Sequence, residues 1–187
     1  IIWQAAQIIQ EGHVERGINF ASRHAREFVR PAISLLKANR AVGNEAEWLA
    51  HVNDYIRQFD IAPIKLAPQG DSLFSRFSTA PPPRVERGPL VSVVMPAFQS
   101  ERTLEFAARS ILDQTWQALE LIIVDDCSDD GTWQVAQAIA RGDARVKLFR
   151  NKVNVGPYVS KNLALGLAQG AFITGHAADD WAHPPRP

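Results

Sequence analysis

Length, composition and charge limit the classes of protein to which this chain can belong. It has 187 residues, 46% of them hydrophobic and 21% charged, which is typical of a folded domain rather than of a disordered or fibrous chain. Lys and Arg together number 20, as do Asp and Glu, so no net charge attracts nucleic acid or an anionic membrane. The single cysteine, Cys127, excludes an internal disulfide. No apolar run approaches the roughly 20 residues that a membrane-spanning helix needs.

The first 77 residues are predicted to form a small all-α domain, either a helical bundle or a repeat-like array. Asn44 followed by Glu47 resembles a capping box that starts one of its helices. The histidines here are isolated in sequence, so we interpret them as surface or core-edge residues rather than metal ligands. Apolar residues recur at helical spacing, as in Val14, Ile18, Ala21, Ala25 and Phe28.

A proline-rich segment, STAPPPRVERGP, follows the helical part. Three consecutive prolines and a Gly-Pro pair favour an extended, semi-rigid backbone. We therefore predict a linker over residues 78–89, between the helical domain at residues 1–77 and a second domain at residues 90–187. The helical domain is a candidate site for a protein partner.

Residues 90–187 alternate short apolar runs with amphipathic segments, which predicts an α/β domain. The predicted strands are LVSVVMP, LELIIVDD, RVKLFR and AFITG, and the segments between them have helical periodicity. Such alternation predicts a mostly parallel sheet with helices on both faces. Sheets of this kind bind ligands at the carboxyl ends of their strands, so we expect a site there.

Two pairs of aspartates follow predicted strands. Asp125 and Asp126 end the second strand. We expect one of them to be free to accept a hydrogen bond from a ligand. Neighbouring residues of the segment DDCSDDGTW are expected to cap the next helix. Asp179 and Asp180 follow the fourth strand. Paired carboxylates on a loop suit a hard divalent cation that also binds phosphate oxygens.

The turn NKVNVGPYVSKN precedes another predicted helix, whose amino end would favour an anion. Lys161, one turn into this helix, is a candidate contact to a phosphate, although by itself it is better interpreted as a solvated surface lysine. Together these clusters predict one crevice that holds a nucleotide and a metal ion.

Residues 89–187 resemble the family-2 glycosyltransferases of the GT-A fold, in the segments VSVVMPAFQSERTLEFAARSILDQTWQALELIIVDDCSDDGTW and NVGPYVSKNLALGLAQGAFITGHAADDWAHP. The resemblance implies a GT-A, Rossmann-like sheet. It also implies that a sugar is transferred, with inversion, from a nucleotide-diphosphate-sugar, for which a UDP-sugar is favoured. Mn²⁺ or Mg²⁺ would assist this transfer. The resemblance further implies a role in glycan biosynthesis, with a sugar, lipid or polysaccharide as the acceptor. The protein would be cytoplasmic, with the surface of the inner membrane as an alternative location.

The resemblance also assigns roles to individual residues. Asp125 or Asp126 would contact the base, Lys161 would lie near the nucleotide, and Asp179 and Asp180, at the position of the DxD motif, would bind the metal ion and the ribose-diphosphate. The residues that would border the nucleoside are Pro96, Ala97, Phe98 and Glu101.

The chain departs from the family pattern in two respects. Ala177 stands where family members often have the first Asp of Asp-x-Asp-Asp-Trp. The catalytic base of the family follows the DxD region, so we expect it beyond Pro187 and expect the chain as given to bind a donor without efficient transfer.

Other functions are compatible with parts of this pattern. A nucleotidyltransferase would share the sheet and the acids, but it usually has a glycine-rich loop after the first strand, where this chain has AFQSERT. A receiver-type signalling domain would have its acidic pair after the first strand, not the second. A third alternative is a nucleotide-binding or scaffold module without transferase activity.

Overall fold

The computed structural model describes residues 2–24, 31–70, 72–80 and 83–185. Ala25 and Phe28 of the predicted helical stripe, and two of the prolines of the predicted linker, lie outside these ranges. The chain divides into two compact units, one comprising residues 1–67 and 78–80 and the other residues 68–77 and 81–187. The limits of the two domains and the linker given in the sequence analysis remain a prediction.

The first unit contains four helices, α1 (Ile2–Gln10), α2 (Val14–His24), α3 (Pro31–Arg40) and α4 (Glu45–Arg57). Its core is built from small and aliphatic side chains, among them Ala5, Ala21 and Leu36. A Cβ atom on Gly17 would lie only 2.7 Å from the Ala5 carbonyl oxygen, so glycine is required where α2 crosses α1. The Asn44 side chain caps α4 by accepting a hydrogen bond from the Glu47 N–H at 3.3 Å.

A short two-stranded sheet accompanies these helices. β1 (Ile64–Leu66) pairs with β2 (Phe77–Thr79). The Asn53 side chain of α4 holds β1 in place, since it accepts from the Ile64 N–H at 2.8 Å and donates to the Ile64 carbonyl at 2.9 Å. Helical periodicity gave no sign of this sheet, because three-residue strands are too short to show an alternating pattern.

The second unit is an α/β sandwich, as predicted. Its elements are β3 (Val91–Ala97), α5 (Leu104–Leu112), β4 (Leu119–Asp125), α6 (Thr132–Gly142), β5 (Val146–Arg150), α7 (Pro157–Leu167) and β6 (Phe172–Gly175). The four strands are parallel, in the order β5-β4-β3-β6. This confirms the predicted α/β class with a parallel, Rossmann-like sheet and flanking helices of the GT-A type.

The central strand β4 is buried along its whole length, which explains why its sequence is a continuous apolar run. Leu121 and Ile123 pack into the core that includes α5 and α6, whereas Ile122 and Val124 pack with Ala164 of α7. This alternation places helices on both faces of the sheet. All four strands therefore end at one edge, where the loops that follow them come together.

Candidate functional site at the carboxyl edge of the sheet

Strand register places the first two predicted clusters side by side. Ala97 at the end of β3 is paired with Asp125 at the end of β4, and Asp125 in turn with Arg150 at the end of β5. The Asp126 N–H donates to the Ala97 carbonyl at 2.8 Å. The acids after β4 therefore lie next to the loop that leaves β3.

Asp126 is buried and its carboxylate is committed to the loop between β5 and α7. Its Oδ1 accepts hydrogen bonds from Asn151 Nδ2 at 2.7 Å and from the Val155 N–H at 3.0 Å, and its Oδ2 accepts from the Gly156 N–H at 2.7 Å. Burial alone would raise the pKa of Asp126, but these hydrogen bonds outweigh it and hold the pKa below its ordinary value. Asp126 is thus a charged acid that fixes the loop before α7.

Asp125 differs from its neighbour in having hydrogen-bonding capacity to spare. Its side chain is fully buried, and its Oδ1 accepts a hydrogen bond from the Ser128 N–H at 3.3 Å. Arg150 Nε lies 2.9 Å from its Oδ2, but the N–H bond is not aligned with the oxygen, and no other described residue donates to it. Asp125 therefore has an ion-pair partner in Arg150, without a well-aligned hydrogen bond at Oδ2.

An open cleft of about 230 Å³ lies at this edge. Phe98 contributes an exposed aromatic ring to it, 45% accessible at the end of β3. The lining residues come from the end of β3, the end of β4 and the start of α7, and are Pro96, Ala97, Phe98, Asp126, Asn154, Gly156 and Pro157. Three of the predicted nucleoside neighbours therefore line one cleft together with Asp126.

Glu101, the fourth predicted nucleoside neighbour, is engaged with the protein itself. Its Oε2 accepts a hydrogen bond from the Gly131 N–H at 2.8 Å, and its own N–H donates to Asp130 Oδ2 at 3.3 Å. Asp130 also caps α6 through the Thr132 N–H at 2.9 Å, as the sequence predicted for this acidic run. Glu101 thus joins the loop after β3 to the start of α6.

Two residues beside the cleft have backbone conformations that side chains rarely adopt. Gln99 has φ +49° and Cys127 has φ +62°. Both follow strand ends, and the Gln99 N–H is held by Ser128 Oγ at 3.1 Å. Backbone strain of this kind is concentrated at functional sites because the surrounding contacts must maintain it.

Lys161 lies on α7, partly buried, and makes no ion pair with any residue that the structure describes.

Asp179 and Asp180 are both exposed, on the turn that follows β6. This turn is fixed by His176, whose side chain is buried and whose Nε2 lies 3.1 Å from the Asp180 carbonyl oxygen. Within the described ranges, no group of three or more His, Cys, Asp or Glu side chains is placed to bind a metal ion.

The structure also shows residues that the sequence analysis did not assign to the site. Asn151 joins Asp126 to α7, because its Nδ2 also lies 2.9 Å from Ser160 Oγ. Arg150 donates to the Ser128 carbonyl at 2.7 Å and lies over the Trp133 ring, 5.2 Å from its centroid. Their position at the end of β5 was the signal that could have identified both.

The known proteins that are similar to this chain match its α/β part. The model of the family described as Glycosyl transferase family 2 matches residues 92–186, just over half of the chain. An uncharacterized glycosyltransferase of Haemophilus influenzae is 40% identical over 93 residues, which are 50% of this chain and 37% of that protein. The GalNAc(5)-diNAcBac-PP-undecaprenol beta-1,3-glucosyltransferase of Campylobacter jejuni is 40% identical over 93 residues, 49% of this chain and 30% of that protein.

Among solved structures, S. aureus TarS 1-349 in complex with UDP is similar with a TM-score of 0.48 and 28% identity, over 51% of this chain and 29% of that chain. The chain spans about a third of the length of the curated relatives that it matches. None of the described helices is long and apolar enough to cross a bilayer. The extent of the family match shows that this chain belongs to glycosyl transferase family 2.

Proposed function

We propose that this chain carries the donor site of a glycosyltransferase and that the carboxyl edge of its sheet binds a nucleotide-diphosphate-sugar. The observation that carries this proposal is the cleft lined by Phe98, Asp126 and Gly156, which lies at the strand ends within the segment that matches the family. Ligands of parallel α/β sheets bind at this edge. The family match favours this function over that of a nucleotidyltransferase.

Asp125 is the residue that we propose as the contact to the base. Its buried Oδ2 has Arg150 Nε at 2.9 Å but no aligned hydrogen bond, and a ligand donor that completed its hydrogen bonding would lower the free energy. Uracil, thymine and guanine each present a ring N–H to such an acceptor, whereas cytosine presents only its exocyclic amino group. The donor would therefore be a UDP-, dTDP- or GDP-sugar, with UDP favoured, and Asp126 would act by holding the loop beneath it.

Phe98, at 45% exposure, would contact a face of the base, and Pro96 and Ala97 would form the wall beside it. Glu101 would act at a distance by keeping the loop after β3 joined to α6. Lys161, which has no acid partner among the described residues, would add positive charge near the phosphates. The start of α7, with Gly156 at φ +86° and Pro157 as first helical residue, presents backbone N–H groups on the same side.

Asp179 and Asp180 would hold a Mn²⁺ or Mg²⁺ ion. Their carboxylate oxygens suit these cations, and two protein ligands leave positions for the oxygens of a diphosphate. The bound ion would neutralise the leaving diphosphate as the glycosidic bond breaks. Ala177 cannot contribute a ligand through its side chain, so this site would depend on the adjacent pair.

Inverting transfer also needs a base that removes a proton from the acceptor hydroxyl. We assign none among the acids at this edge, because Asp125 and Asp126 are buried and Glu101 is bonded to Gly131. We therefore expect the chain alone to bind the donor without efficient transfer. A lipid-linked glycan is the acceptor that we favour, because one relative is named for an undecaprenol-linked substrate. The protein would then work at the cytoplasmic side of the inner membrane.

Thermal unfolding with UDP, dTDP, GDP and CDP, each with and without Mn²⁺, tests the proposal. We expect stabilisation by one of the first three nucleotides, increased by Mn²⁺, and none by CDP. A ligand at about 100 times its Kd adds roughly 2.7 kcal/mol. The variant Asp179→Ala/Asp180→Ala should lose the Mn²⁺ effect, whereas Glu105→Ala/Asp113→Ala, which removes two exposed acids from α5 and its end, should keep it. No stabilisation by any nucleotide would favour the scaffold alternative.

A further inference from the structure

A cleft on the helical unit carries positive charge that the proposed donor site does not use. It has a volume of about 610 Å³ and lies along α2, with one contributing residue from α1. We call it the α2 cleft. Its lining residues include two arginines and one histidine but no acid, and are Ile8, Arg16, Asn19, Phe20, Arg23 and His24.

Helical periodicity brings the polar side chains of the α2 cleft onto one face. Arg16, Asn19 and Arg23 are spaced i, i+3 and i+7, so they lie in one row along α2. The two arginines are separated by two helical turns, about 10 Å along the axis. Side chains of this length, anchored that far apart, can reach a single anion of diphosphate size between them.

Phe20 and His24 lie on α2 beside the row of Arg16, Asn19 and Arg23, and their side chains contact each other. Their rings are stacked with centroids 4.6 Å apart, and His24 Nδ1 donates to the Phe20 carbonyl oxygen at 2.8 Å. This fixes the imidazole and leaves Nε2 as its remaining polar atom. Ile8 adds an apolar side chain, so the cleft combines cations with a hydrophobic wall.

The positive charge of the α2 cleft is not neutralised by the acids that the structure describes. Glu15, the acid of α2 itself, pairs with Arg40 at 3.0 Å, and Asp54 pairs with Arg57 at 2.6 Å. Arg16 and Arg23 make no ion pair with any acid in residues 2–24, 31–70, 72–80 or 83–185. Two guanidinium groups thus line one concave surface without a carboxylate partner among the described residues.

We propose that the α2 cleft binds a phosphate-bearing anion, with Arg16 and Arg23 donating to its phosphate oxygens. The planar guanidinium matches phosphate geometry and forms charge-assisted hydrogen bonds with it. Asn19 supplies a further donor, and Ile8 and Phe20 contact an apolar portion of the ligand. The site is independent of the donor site at the sheet edge, because every lining residue belongs to the helical unit.

Inorganic pyrophosphate is the probe that tests this site on the whole chain. We expect saturable binding in calorimetry and shifts of the Arg16 and Arg23 Nε–H signals in ¹H–¹⁵N spectra. Arg16→Gln/Arg23→Gln should weaken the affinity about tenfold or more. The matched control Lys37→Gln/Arg57→Gln removes two exposed positive charges from α3 and α4 and should leave the affinity unchanged. Absence of saturable binding, or equal weakening in both variants, would overturn the proposal.

The phosphate could belong to a soluble compound or to a lipid headgroup, and flotation with vesicles distinguishes them. Phosphatidylcholine vesicles with and without phosphatidylglycerol would be mixed with the chain and with both double variants. Binding that requires phosphatidylglycerol, is lost in Arg16→Gln/Arg23→Gln and is displaced by pyrophosphate identifies a headgroup as the ligand. Pyrophosphate binding without flotation identifies a soluble phosphate compound.

Discussion

Asn151 Nδ2 donates a hydrogen bond of 2.7 Å to Asp126 Oδ1, and this contact joins the ends of two neighbouring strands. The same carboxylate also receives the Val155 and Gly156 N–H groups. One buried acid therefore sets the backbone path of the loop that forms a wall of the cleft. The neighbouring Asp125 is paired instead with Arg150, whose Nε lies 2.9 Å from its Oδ2, so the two adjacent acids have different partners, one in the loop and one at the end of β5.

Asp126→Asn is expected to lower the free energy of unfolding by roughly 2–3 kcal/mol, because hydrogen bonds to a charged group are lost and a buried donor is left unmatched. Urea unfolding measures this change, and hydrogen exchange of the Val155 and Gly156 amides should accelerate with it. Asp129→Asn is the control, since Asp129 is exposed and accepts one hydrogen bond, from Gln99 Nε2. If the two variants were equally stable, Asp126 would not be what holds the loop.

Glu120 makes the stability of the sheet sensitive to acid. Burial would raise its pKa, but Lys147 Nζ at 2.6 Å, Ser92 and the Gln169 N–H hold the pKa below its ordinary value of 4.5. Because the folded pKa is the lower one, this stabilisation is complete above pH 4.5 and is lost as the pH falls through the folded pKa. The network joins β4 to β3, to β5 and to the segment before β6, so its loss affects the whole sheet.

Glu120→Gln should therefore lower the free energy of unfolding at neutral pH by about 1–3 kcal/mol and flatten its dependence on pH below 4.5. Lys147 is 34% exposed, so water compensates for part of the lost ion pair. The decrease in the free energy of unfolding should therefore lie in the lower part of this range. Urea unfolding from neutral pH downward measures both effects. An unchanged pH profile in the variant would mean that other acids, Asp126 among them, account for the acid sensitivity.

Cys127 is strained by its φ of +62°, a conformation that glycine adopts freely and β-branched residues avoid. Cys127→Gly should thus be more stable than Cys127→Val by at least about 1 kcal/mol. Chemical denaturation of the two variants tests this directly. Equal stability would show that the loop relaxes to another conformation. Ala138→Gly, at an exposed position of α6, serves as the reference for the cost of introducing glycine.

The α/β part could be predicted because its strands are apolar, five to seven residues long for β3, β4 and β5, and separated by clear helical segments. The strand-end rule then predicts a role at this edge for Asp125 and Asp126, and the strand register places them beside the loop after β3. The rule could not decide which acid is committed to the loop before α7, because both are aspartates. The donors that distinguish them come from residues 151–156, up to 30 positions away. The sheet of β1 and β2 was missed for a similar reason, since Asn53 specifies it through contacts eleven residues away.

Phe98 allows the proposed donor site to be tested apart from the stability of the fold. Its ring is 45% exposed at the cleft, so Phe98→Ala should change the free energy of unfolding little. Stacking of a base on an aromatic ring contributes about 1–3 kcal/mol, so the variant should bind UDP roughly tenfold more weakly, as measured by calorimetry with Mn²⁺. Tyr158→Ala is the matched control, because Tyr158 is an aromatic residue of α7 at 82% exposure that does not line the cleft. Equal UDP affinity in the two variants would exclude stacking on Phe98, and an equal loss in both would place the base outside this cleft.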